Sequence, residues 1–173
     1  YEGSNVILKQ TGYFYKMEGK PFALQSVRSL AEDSHGDIIV GTRYNGLFYL
    51  RMKNDRVDSI LHFDESAGLV SKTIWGLGVN KKDEVWIGTA MGLCLGKWQN
   101  GAFKIEDISK VNQIYSCGNV HVDRQNSVWV TNHPGVSRLS SDESEKTAPF
   151  SVFISRILLD GKLPKENQAS FNY

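Results

Sequence analysis

The chain has 173 residues and a mass of 19.4 kDa, with 20 Lys+Arg against 19 Asp+Glu, 40% hydrophobic and 11% aromatic residues. That is a globular composition, long enough for one real core, and a formal net charge of +1 gives no field to hold a phosphate backbone, so generic nucleic-acid binding has no electrostatic basis. No apolar run approaches the ~20 residues of a membrane helix, and none carries the flanks of a signal peptide.

The chain opens at Tyr1-Glu2-Gly3-Ser4 without an initiator methionine and ends at Ser170-Phe171-Asn172-Tyr173 within a strand-like pattern. It is expected to be a piece of a longer protein, with any targeting or anchoring segment outside it. Val6-Ile7-Leu8, followed by Gly12-Tyr13-Phe14-Tyr15, reads as an incomplete first copy of a repeat. Complete copies follow at Val27-Arg28-Ser29-Leu30-Ala31-Glu32-Asp33-Ser34-His35-Gly36-Asp37-Ile38-Ile39-Val40-Gly41-Thr42, from Ile74 through Asp83-Glu84-Val85-Trp86-Ile87-Gly88-Thr89, and from Cys117 through Asn126-Ser127-Val128-Trp129-Val130-Thr131. Each is followed by glycine and an apolar residue: Gly46-Leu47, Gly92-Leu93 and Gly135-Val136. The period of ~40–50 residues is the blade length of propeller repeats.

Within each copy, Ile38-Ile39-Val40, Val85-Trp86-Ile87 and Val128-Trp129-Val130 are short apolar runs without polar alternation, as expected of strands buried on both faces. The turn before each run places Gly36, Asp83 or Asn126 at one position, three residue types that tolerate positive φ. Asn45-Gly46, Asn100-Gly101 and Asp160-Gly161 are further hairpin signals. The first complete blade is predicted as strands Val27–Glu32, 37–42, 47–50 and 56–62, with residues 65–71 leading to the next blade. The second runs from about Ile74 to Ile105, and the third opens near Tyr115. No window of ~11 residues carries a helical stripe. The chain reads as all-β: a partial β-propeller of four-stranded blades, about three and a half of them, over residues 1–140. Residues 141–148 have the polar composition of a linker. Residues 149–173 read as the truncated start of a second β domain.

These residues resemble the two-component regulator propeller family, whose repeats follow an E-D-x-x-G-x-h-W-h-G-T…G-L pattern, where h is apolar. Gly68-Leu69 before Lys72-Thr73-Ile74 resembles the family's signal between blades. The segment 149–162 resembles the opening of the Ig-like β-sandwich named for its three tyrosines. The chain departs from the pattern at Ile39 in place of Trp, at Asn80 in place of Asp, and at Thr131-Asn132 in place of Gly-Thr. The resemblance implies the extracytoplasmic sensor of a membrane-spanning two-component regulator, most often a hybrid histidine kinase responding to oligosaccharides or other nutrients. It further implies a periplasmic or extracellular location, a small-molecule ligand, a homodimer in the full-length protein, and membrane contact only through segments outside this chain.

The residues offer no enzyme chemistry of their own. His35, His62, His121 and His133 stand outside metal or catalytic motifs, and no Gly-x-Ser-x-Gly elbow exists. No cofactor or metal is expected. Cys94 and Cys117 are expected to be small buried apolar residues, a single bridge between them being the alternative. Asp33 and Asp123 are predicted to bond local turn amides, and Trp86 and Trp129 to pack. If ligand meets the face formed by the loops between strands two and three and between blades, the candidates are Arg43, Tyr44, Met91 and His133, with Arg28 and Trp75 at equivalent starts of the innermost strand. Aromatic and Arg side chains suit sugars through stacking and forked hydrogen bonds. A protein-interaction scaffold, which would need only a blade surface, is the second class, and a propeller lyase or hydrolase the third.

Overall fold

The computed structural model describes residues 15–17, 20–22, 24–132, 135–139 and 150–151. After a hairpin of β1 (Tyr15–Met17) and β2 (Lys20–Phe22), three four-stranded antiparallel sheets follow in chain order. The first blade is β3 (Val27–Glu32), β4 (Ile38–Thr42), β5 (Leu47–Lys53) and β6 (Arg56–Phe63). The second is β7 (Ile74–Val79), β8 (Val85–Thr89), β9 (Gly92–Gln99) and β10 (Ala102–Asp107). The third is β11 (Cys117–Val122), β12 (Val128–Asn132), β13 (Gly135–Leu139) and β14 (Phe150–Ser151). Neighbouring strands are consecutive in sequence, and the inner strands β3, β7 and β11 meet across the blade boundaries. The all-β blade architecture expected from the repeat is the observed one.

The middle strands explain why the apolar runs lack polar alternation. Ile39 faces the second blade, in a cluster with Leu47, Tyr49, Ile74, Val85, Ile87 and Cys94, whereas its neighbour Val40 joins Phe48 and Leu50 in a separate cluster. In the second blade Val85 and Ile87 face the first, while Trp86 joins Cys117, Val120, Val128 and Val130 of the third. Successive side chains point to opposite faces, and both faces of these strands are packed.

Close approach between blades rests on glycines at one repeat position. A Cβ on Gly41 would lie 2.6 Å from Ile74 Cγ2, and one on Gly88 would lie 2.8 Å from Cys117 Sγ. Ile74 and Cys117 both open the inner strand of the following blade. The threonine after each glycine closes the next loop: Thr42 Oγ1 donates to the Gly46 carbonyl and Thr89 Oγ1 to that of Gly92, each at 2.9 Å. The recurrent Gly-Thr pair thus combines an inter-blade contact with a loop clamp. At Thr131-Asn132 the roles differ, since Thr131 Oγ1 accepts the Asn119 amide at 2.6 Å.

Blades are joined by a 3-10 turn, Glu65–Ala67, and by a short helix, α1 (Ser109–Asn112). Gly68, at φ 106°, ends the first of these against the Ile105 carbonyl, where a Cβ would be 2.5 Å from oxygen. Asn100-Gly101 is a two-residue turn with positive φ at both residues, as is Asn54-Asp55, not singled out from the sequence, whereas Asn45-Gly46 ends a wider loop with positive φ at Gly46. Phe150–Ser151, placed by sequence at the start of a following sandwich, pair with β13 through Ser137↔Ser151 and Arg138↔Phe150 as the fourth strand of this sheet. The segment 141–148, the rest of 149–173 and the Asp160-Gly161 signal lie outside the described residues. No helix among the described residues is long and apolar enough to cross a membrane.

Candidate functional site

Antiparallel order sends alternate connections to opposite ends of the blades. The β3–β4, β7–β8 and β11–β12 turns share one end, with the β5–β6 and β9–β10 hairpins; the loops after β4 and β8 and the connections between blades share the other.

At the loop end, every inner strand carries a bulge at the same place. Pairing skips between Val27 and Ser29 in β3, between Ile74 and Gly76 in β7, and between Cys117 and Val120 in β11. The extra residues are Arg28, Trp75, and the pair Gly118 and Asn119. A bulge releases one residue from the ladder and re-aims its side chain. Arg28 and Trp75 are both exposed, and the Arg28 guanidinium lies over the Trp75 indole at 5.2 Å from its centroid. Two residues 47 positions apart in sequence are thereby stacked across a blade boundary.

Arg43 and Tyr44 border this pair. The Arg43 amide donates to the Ser26 carbonyl at 3.0 Å, next to the lead-in of β3, and the Arg43 carbonyl accepts from Thr73 Oγ1 at 2.7 Å, next to that of β7. The Arg43 guanidinium lies 5.1 Å from the Tyr44 ring centroid, and Tyr44 is 59% exposed. Met91 occupies the corresponding loop of the second blade, tied there by the Ala90 amide bonded to the Thr73 carbonyl at 3.0 Å, and is 68% exposed. The structure therefore gathers Arg28 with Trp75 and Arg43 with Tyr44 at one end, with Met91 one blade along. His133 lies outside the described residues. Sequence reasoning missed Tyr115, an exposed aromatic at the same end just before β11. It sits in a connection whose length and helix break the repeat register, so no alignment between copies pointed to it.

The opposite end holds a cleft of about 560 Å³ between the first and second blades, lined by Asp33, His35, Asp37, Arg51, Asp83 and Trp98 among others. Its buried carboxylates are already committed. Asp33 Oδ1 accepts the amides of His35 and Asp37 at 2.9 and 3.0 Å, and Asp33 Oδ2 accepts the Tyr49 hydroxyl. Tyr49 in turn accepts the Trp98 indole N–H at 3.1 Å. Burial and then the Asp33 bond push the Tyr49 phenol far above its ordinary range, so it stays a proton donor. Asp37 accepts the Met52 amide at 2.7 Å and pairs with Arg51 at 2.9 Å. These bonds fasten the turns at this end of the first blade.

The same fastening recurs in each blade. Asn80 Oδ1 accepts the amides of Lys82 and Glu84 at 2.9 and 3.0 Å, and Asp123 Oδ1 those of Gln125 and Ser127 at 2.9 and 2.8 Å. This is the turn role expected of Asp33 and Asp123. Trp86 is buried between blades, and Trp129 is half-buried with its indole N–H donated to Asp123 Oδ2 at 2.8 Å. Cys94 and Cys117 are buried and free. Among the described residues no group of three His, Cys, Asp or Glu side chains is placed to hold a metal ion.

No family model and no curated protein matches the chain. Solved structures do. The extracellular domain of BT3049 from B. thetaiotaomicron, described as a hybrid two component system, superimposes at TM-score 0.58 over 80% of this chain and 18% of its own, with 19% identity. The extracellular domain of BT4673 from the same organism, described as a one component system, gives 0.57 over 75% of this chain and 18% of its own, with 17% identity. XC5397 from Xanthomonas campestris, described as a gluconolactonase, gives 0.49 over 69% and 40%, with 16% identity. At these identities the likeness to the two extracellular domains is one of fold. The chain spans 18% of the length of each.

Proposed function

We propose that this chain is part of an extracytoplasmic ligand-sensing propeller of a two-component regulator, a hybrid sensor histidine kinase in the reading its repeats resemble, and that it binds a saccharide at the loop end. The single observation that carries the reading is the repeated bulge. It sets an exposed Arg28–Trp75 stack at the rim of the inner strands, beside Arg43 and Tyr44. Aromatic faces bind the apolar faces of sugar rings, and guanidinium forks bind ring hydroxyls. The fold shared with two extracellular domains of regulatory systems supports the same reading.

Ligand acts here by differential binding. A propeller that binds its sugar better in one of two arrangements of a dimer shifts their equilibrium, and moving it from 1:99 to 99:1 requires ~5.5 kcal/mol of differential affinity. The output, a phosphorelay through a kinase, belongs to segments outside this chain, which by itself catalyses nothing in this reading.

The test is a thermal-shift screen of the purified chain against a panel of neutral and acidic oligosaccharides, repeated with Trp75→Ala. Ligand bound only to the native state raises its apparent stability. A shift for one sugar class that Trp75→Ala abolishes is the expected result. A folded chain with no shift across the panel transfers the loop end to a macromolecular partner.

A further inference from the structure

Among the described residues four arginines lie over aromatic rings, and they divide into two kinds. Arg51, over Trp98 at 4.9 Å, uses its guanidinium on the Asp37 carboxylate. Arg138, over Trp129 at 5.8 Å, donates to Ser127 Oγ at 2.6 Å. Both stand toward the turn end and are satisfied from within the fold. Arg28 and Arg43, at the loop end, have no hydrogen-bond or ion-pair partner for their guanidinium groups among the described residues. Among the described residues, each guanidinium meets an aromatic ring only.

Stacking covers the face of a guanidinium and fixes its plane, but leaves the N–H donors along its edge open. Those edges match the paired oxygens of a carboxylate or sulfate, in a forked hydrogen bond between opposite charges. In the connection after β6, Glu65 pairs with Lys72 at 3.2 Å, and Asp64 caps the 3-10 turn through the Ser66 amide. Among the described residues, no acidic side chain is paired with either guanidinium.

Resting on the sensing reading above, we infer that the ligand is an acidic saccharide, with a carboxylate or sulfate group held by the forks of Arg28 and Arg43. Trp75 and Tyr44 supply the ring contacts and the two guanidiniums supply the charge. A neutral sugar offers these forks only hydroxyl oxygens, a weaker match than the paired oxygens of an anion.

Titration calorimetry on the purified full chain tests this with matched probes: oligogalacturonate against its methyl ester, and a sulfated glycosaminoglycan disaccharide against its desulfated form. Binding by one acidic probe, weakened about tenfold or more in its neutral counterpart, is expected from the loss of charge-assisted hydrogen bonds. Arg28→Met and Arg43→Met each reproduce that loss, Arg28→Lys recovers part of it, and Arg138→Gln at the other end leaves affinity unchanged. Equal binding of a neutral counterpart overturns the acidic ligand and leaves saccharide sensing intact. Acidic binding that survives Arg28→Met, or that falls equally with Arg138→Gln, overturns the assignment to these forks. A folded chain that binds none of the four probes overturns the acidic ligand, and if the neutral panel is silent as well, the sensing reading falls with it.

Discussion

Ser34, in the turn of the first blade, gives both its amide and its hydroxyl to the Asp83 carboxylate of the second, at 2.9 and 2.6 Å. Lys81, which holds the place of Ser34 in the second blade, gives its amide to Asn126 of the third at 2.7 Å. The acceptor is in both cases the residue at positive φ, 57° at Asp83 and 69° at Asn126. One position thus serves two ends: it lets its own hairpin turn tightly, and it accepts a bond from the preceding blade. Gly36, at φ 80° in the first blade, meets only the backbone demand.

Substitutions at Asp83 separate these two tasks. Asp83→Gly keeps the backbone free and removes the latch, and is expected to cost about 1 kcal/mol, the net worth of such hydrogen bonds. Asp83→Ala adds left-handed strain of about 1–2 kcal/mol. Urea denaturation of the two variants and the parent measures both increments.

Acid should loosen the same turns. Burial raises the Asp83 carboxyl, but the two bonds from Ser34 outweigh it and hold it below its ordinary value. Asp123 is also held low, chiefly by the Trp129 indole N–H and further by the Ser127 and Gln125 amides. A carboxylate lowered on folding contributes stability that is complete above its unfolded pKa and is lost as pH falls through the folded one. The melting temperature should therefore be steady from about pH 7 to 5 and fall below about pH 4. Asp123→Asn, which keeps the oxygen acceptor that Asn80 uses, should flatten that fall in a pH series of thermal melts.

Gly41 and Gly88 should not tolerate a methyl group. At Gly41 it would lie 2.5 Å from Ser29 Oγ and 2.6 Å from Ile74 Cγ2, and at Gly88 2.8 Å from Cys117 Sγ and 3.0 Å from Val120 Cγ2. Gly41→Ala and Gly88→Ala are each expected to cost about 1–3 kcal/mol as overpacked contacts. Ser29→Ala, which removes the Oγ at 2.5 Å, should recover part of the first loss, as a double-mutant cycle would register. Gly135→Ala, with nothing within 4 Å of the new atom, is the matched control and should change stability little.

Neither cysteine should react while the chain is folded. Burial pushes the Cys94 thiol up to about 11 and that of Cys117 to about 12, so thiolate is scarce at neutral pH and the sulfurs are enclosed. A chromogenic disulfide reagent at neutral pH should label both only as denaturant unfolds the blades. Prompt labelling of Cys117 in the native chain would mean that the boundary between the second and third blades opens on its own, and of Cys94 that the boundary between the first and second does.

Much of this architecture was legible residue by residue. The positive φ at Gly36, Asp83 and Asn126, the double burial of Ile39-Val40 and Val85-Trp86-Ile87, and the turn carboxylates Asp33 and Asp123 follow from demands each backbone segment makes locally. The candidate loop end was legible only as a set of positions. A period-two pattern does not encode a bulge, because one extra residue changes which way Arg28 and Trp75 face without changing the composition around them.

By itself, then, the sequence determined the repeat, its strands and the residue types that turn them, since those are properties of short stretches of chain repeated three times. The tertiary structure alone decided the pairs. Arg28 over Trp75, Tyr49 on Asp33, Ser34 on Asp83, and Phe150–Ser151 against β13 each join groups from separate strands or turns. Such contacts arise only when antiparallel pairing and blade packing fix register and distance together, and neither is written in any one stretch of residues.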